Sequence, residues 1–113
     1  MNTPIESGPA ERPLPVELQQ FATDYKLDGE AMGQLQQIIR APKESVLKHF
    51  AGVFSPSWGS LDLIRKNLEA TARALPADDT ATQELFAAVI AFSKNHDVYA
   101  CFSLIETLGK TSW

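Results

Sequence analysis

Eight apolar residues, Leu85 to Phe92, follow one another without a polar break in this chain of 113 residues. Thr80 and Gln83 stand before them in capping-box spacing, and Asn95-His96 interrupt the pattern after them. A helix apolar on every side needs other helices around it. A bilayer span needs about 20 such residues, so this run belongs in a protein core rather than a membrane. It predicts a helix near 81–94, buried at the centre of a small helical domain.

The flanking sequence supplies its neighbours. Leu18, Phe21, Ala22 and Tyr25 repeat at helical spacing, and Pro15 suits a first helical position, which predicts a helix over 15–25. Asp28 is a good N-cap for a second helix carrying Met32, Leu35, Ile38 and Ile39, which must stop before Pro42. A third helix from Pro42 carries Val46, Leu47, Phe50, Ala51 and Phe54, and the turn-rich residues 55–60 end it. Ser60 caps a fourth helix with Leu61, Ile64, Leu68, Ala72 and Leu75 on one face. Asp97 caps a last helix with Val98, Cys101, Phe102, Ile105 and Leu108, and Gly109 is the expected stop. There is no hairpin signal and no repeat. The fold class is all-α: a compact bundle of five or six short helices forming one domain over 15–113. Residues 1–14, with Pro4, Pro9 and Pro13 and no apolar period, are expected to be a disordered tail.

Composition narrows the function classes. A single cysteine, Cys101, cannot form an internal disulfide, and the first residues lack the basic start and apolar block of a signal peptide. A reduced, cytoplasmic protein without a membrane segment is expected. The net charge of −4 disfavours a general nucleic-acid binder. Residues 26–75 nevertheless hold seven basic and five acidic side chains, against three and nine in the remainder, so the middle is mildly basic.

No constellation points to catalysis. His49, His96, Asp97 and Cys101 form a metal set only on paper: Asp97 is explained as an N-cap and Cys101 as part of an apolar stripe. Ser45 and His49 share a helix face, but nothing identifiable orients the imidazole. Phosphate-binding glycine loops are absent from the sequence. No metal, cofactor or enzymatic activity is expected.

Residues 35–54 read helix, short break, helix, and this segment resembles the helix-turn-helix module of bacterial repressors. The resemblance implies that Lys43, Ser45, Lys48 and His49 face DNA while Val46 packs inward. Gln36 stands where that module has a small residue, and Arg40 where it has the turn glycine. The order His49-Phe50-Ala51-Gly52, then Gly59 and Leu68-Glu69, is also similar to histidine phosphotransfer domains. Gly52 and Val53 replace the lysine and glycine that follow the phosphorylated histidine in that family.

The positive signal is a surplus of apolar residues outside the core stripes: Trp58, Tyr99, Leu104 and Trp113, with Leu63 on the fourth helix. Aromatic residues in such places anchor interfaces. The expected function is a small non-enzymatic interaction module, an adaptor, chaperone-like protein or inhibitor, that binds a protein partner or another copy of itself. The alternative is a DNA-binding regulator. Deleting residues 1–13 is expected to leave the melting temperature nearly unchanged in a circular-dichroism melt; a loss of several degrees would mean that the segment docks.

Overall fold

The structure, a computed structural model, describes residues 14–54 and 60–113. Among the described residues it contains six helices and no strand: α1 (Val16–Asp24), α2 (Gly29–Ile39), α3 (Lys43–Phe50), α4 (Leu61–Arg73), α5 (Thr80–Asn95) and α6 (Val98–Lys110). The all-α bundle is present as expected. Among the described residues no helix is long and apolar enough to cross a membrane. The expected tail lies outside the described residues except for Leu14, which is buried against the bundle and belongs to the folded part.

The helices form two layers. α5 lies between α2 and α4, α6 lies between α1 and α3, and α5 packs on α6. Leu85, Phe86, Val89 and Phe92 fill the centre from α5, and Cys101, Leu104, Ile105 and Leu108 meet them from α6. One expectation needs correction here. α5 is not enclosed on all sides: Glu84 and Ala87 are exposed, and Ile90 and Ala91 are only half-buried. The apolar block contains one stripe of large residues and an opposite edge of alanines. Alanine exposes so little apolar surface that no seventh element is required to cover it.

The helix ends show how short-range chemistry fixes these elements. Asp28 accepts from the Ala31 N–H at 2.9 Å, and Asp97 accepts from Ala100 at 2.8 Å. Ser60 caps α4 through the Asp62 N–H. α5 is capped one residue earlier than the capping box implies, since Asp79 Oδ1 accepts from Thr82 and Thr80 is already helical. A carboxylate satisfies the amide and complements the helix dipole together, which a hydroxyl does not. α3 ends at Phe50 rather than Phe54, because Gly52 adopts a φ of +78° and turns the chain. Conversely, α6 runs through Gly109 to Lys110, and the buried Thr111 closes it by donating to the Thr107 carbonyl at 2.7 Å.

α1 ends without the glycine that its geometry favours. The Leu27 N–H donates to the Ala22 carbonyl and the Lys26 N–H to that of Thr23, with Lys26 at φ +53°. This is a Schellman closure, and half-buried Leu27 supplies its apolar contact with the core. A side chain in the left-handed region costs about 1–2 kcal/mol.

Two outcomes follow from this packing. Phe92→Ala is expected to cost about 3–5 kcal/mol in urea unfolding, and Ile90→Ala clearly less, because Ile90 has only one side in the core. Lys26→Gly is expected to raise stability by about 0.5–1 kcal/mol; a loss instead would mean that the Lys26 side chain makes a contact worth more than its strain.

Candidate functional site

The four residues expected at an interface separate in the structure. Leu104 is only 1% exposed and fills the centre of the bundle. The expectation that it reaches a flank is overturned, since α6 is sandwiched between α1 and α3 and buries a wider arc than one stripe. Trp113 is half-buried, and its indole N–H donates to the Ala41 carbonyl at 2.9 Å. It ties the chain end to the corner between α2 and α3, so its ring is largely committed to the fold. Trp58 lies outside the described residues. Of the three described, Tyr99 alone stands well out, 62% exposed on the first turn of α6.

Tyr99 has a neighbour that the periodicity of α1 concealed. Ser103 is one turn along the same face of α6. Its hydroxyl accepts a 2.8 Å hydrogen bond from the Tyr25 hydroxyl at the end of α1. Tyr25 fits the apolar stripe of α1 by spacing, yet it is 40% exposed. Its ring rests on Phe21, with centroids 4.7 Å apart, so Tyr25 is held at both ends. Two tyrosines therefore border the seam between α1 and α6, and one of them is rigid before any partner arrives.

The same seam is acidic. A shallow groove of about 280 Å³ runs along it, edged by Glu17, Asp24 and Glu106, with Phe21 at its floor. Asp24 also accepts from the Gln20 amide at 2.9 Å. Among the described residues no lysine or arginine lines the groove. Carboxylates beside aromatic rings favour cationic side chains, which pair with the carboxylates and stack on ring faces.

The residues of the DNA-binding alternative are placed differently. Lys48 is exposed, whereas Lys43, Ser45 and His49 are half-buried. The His49 ring packs edge-on against Phe86 of α5, with centroids 5.2 Å apart. α3 packs principally on α6, and α2 on α5, so the two helices do not form a self-contained pair. Among the described residues Ser45 and His49 share no hydrogen bond, so the paired hydroxyl and imidazole are not assembled. The positions that follow His49 leave the helix at Phe50, which removes the continuous face that the phosphotransfer-like spacing assumes.

The remaining titratable candidates have structural roles. The Nδ1 of His96 lies 2.9 Å from the Phe92 carbonyl, and its ring stacks on Phe92 at 3.9 Å. That contact requires a proton on Nδ1. Burial pushes the Cys101 thiol up to about 12, with nearby Arg65 opposing the shift and Asp97 adding to it. At neutral pH it is a thiol and a poor nucleophile. Among the described residues no group of three or more His, Cys, Asp or Glu side chains is placed to hold a metal ion.

No family model matches this chain, and comparison with curated proteins and with solved structures likewise gives no match.

Cys101 is expected to resist a thiol reagent such as DTNB at pH 8 in the folded protein and to react at once in denaturant. Fast labelling of the native chain would mean that α6 opens locally. Trp113→Phe keeps most of the ring but leaves the Ala41 carbonyl without its donor, and is expected to cost about 1 kcal/mol in urea unfolding.

Proposed function

We propose that this chain is a small, cytoplasmic, non-enzymatic interaction module that holds a protein partner against the seam between α1 and α6. The observation that carries this reading is the exposed Tyr99, one helical turn from the Ser103 that braces Tyr25, near a groove whose described lining has three carboxylates and no cation. Tyrosines suit this work because they bring large apolar area with few rotatable bonds and keep a polar end in water. The acidic rim favours a partner segment rich in lysine or arginine. A braced side chain loses less entropy on binding, so Tyr25 adds affinity at low ordering cost.

A photo-crosslinking residue placed at position 99 tests this. It is expected to give one discrete adduct, while the same residue at the exposed Leu63 position gives none. The adduct should fade as salt rises and with the double charge reversal Asp24→Lys, Glu106→Lys, because the attraction is partly electrostatic. Tyr99→Asp should weaken the association while helical content stays intact. If Tyr99→Asp unfolds the protein, the residue is part of the fold and this reading fails.

The DNA-binding alternative uses Lys43, Ser45, Lys48 and His49, of which Lys48 on α3 is exposed. It requires salt-dependent retardation of duplex DNA, lost in Lys48→Glu. Absence of retardation at low salt removes it.

A further inference from the structure

On the other side of the bundle, the turn after α3 leaves a cleft against α4 and α5. Its volume is about 380 Å³, within the range of small-molecule sites, roughly 300–1,000 Å³. The floor is apolar: Ile64 and Leu68 from α4 and Phe86 from α5, all buried as residues yet bordering the opening. Lys48, His49 and Asn67 stand around it. Among the described residues none of these three side chains has a hydrogen-bond or ion-pair partner. The half-buried His49 makes ring contacts with Phe86 and Phe50.

This contrasts with His96, whose Nδ1 is paired with a carbonyl. It also contrasts with the seam between α1 and α6, whose described lining has carboxylates and no cation. Among the described residues, this cleft has a cation and no carboxylate, in a chain of net charge −4. The adjacent end of α3 adds little opposing negative potential. That helix has only eight residues, and the Leu47 and Phe50 carbonyls accept from the Ala51 and Val53 N–H groups.

We propose that this cleft is a binding site for a small amphipathic carboxylate. The carboxylate is held by the Lys48 ammonium and the His49 ring N–H, the Asn67 amide adds a donor, and the hydrocarbon part lies on Ile64, Leu68 and Phe86. An apolar floor alone would take any hydrocarbon. The unpaired donors at its rim select an anionic head, because an ammonium and a ring N–H donate to a carboxylate in charge-assisted bonds. A dianionic phosphate fits less well, since Lys48 is the sole permanent cation among the described lining residues.

Titration of the full-length, isotope-labelled chain with sodium octanoate, followed by NMR, tests the proposal. Saturable shifts are expected at Lys48, His49, Asn67 and the Leu68 methyls, with Tyr99 unmoved. Octylammonium and acetate should each bind at least about tenfold more weakly, the first lacking the anion and the second the chain. Lys48→Met, at an exposed position where folding is not at stake, should weaken octanoate by about tenfold, the scale of one lost charge-assisted hydrogen bond. Tyr99→Asp should leave octanoate binding unchanged, which separates this site from the partner surface. Three results would overturn the assignment: no saturable shifts with octanoate, equal binding of octylammonium, or tighter binding of inorganic phosphate or duplex DNA than of octanoate at the same residues.

Discussion

The position of α5, between α2 and α4 and with α6 packed on it, is the constraint on which the rest of the bundle depends. Leu85, Phe86, Val89 and Phe92 present one large apolar stripe, and Leu104 and Leu108 answer it from α6. The two helices are consecutive, so a tight reversal must bring the end of α5 beside the start of α6. That reversal leaves the last carbonyls of α5 without helical partners. No glycine closes them. The Arg65 guanidinium donates twice to the Ser93 carbonyl, at 2.8 and 3.1 Å, while His96 takes that of Phe92. Arg65 comes from α4 and is itself steadied by Asp62 at 2.8 Å. The reversal is thus clasped from a helix distant in sequence, which links α4 to the centre independently of apolar packing.

With that pair in place, the outer helices cover what remains and define the free surfaces. α1 and α3 flank α6, and α2 and α4 flank α5. Each flank leaves a concave line where two rounded helices meet. The chain treats two of these lines oppositely. The seam between α1 and α6 gathers carboxylates beside tyrosines, and the cleft bounded by α3, α4 and α5 gathers unpaired donors over an apolar floor. A bundle of uniformly mixed surface charge would not separate the signs in this way. Among the described residues the two lines thus differ in charge, in keeping with the mildly basic character of residues 26–75.

The two histidines illustrate why residue type alone assigns no role. Both lie at the ends of helices and both contact phenylalanine rings. One closes a helix, because the chain reversal after Asn95 folds its ring back over Phe92. The other borders a cleft, where the chain turns at Gly52 after α3. Cys101 teaches a similar lesson. Its spacing placed it in an apolar stripe, and burial makes it behave as a small hydrophobe rather than a reactive thiol.

The sequence by itself determined the number, kind and approximate limits of the helices. Those features rest on local chemistry: aspartate and serine caps, prolines that end helices, and apolar residues at helical spacing. It did not determine which side of an apolar helix stays open, since Ala87 and Ile90 count equally as apolar until the neighbours that cover one and not the other are known. For the same reason Leu104 read as surplus and Tyr25 as core, the reverse of their burial. Spacing locates a residue around its own helix, whereas exposure depends on how far the adjoining helices wrap that circumference. The Arg65 clasp, the indole of Trp113 on Ala41 and the pairing of Tyr25 with Ser103 join residues 28, 72 and 78 positions apart. Only tertiary packing brings such partners within hydrogen-bond reach, and both candidate surfaces are made by that packing.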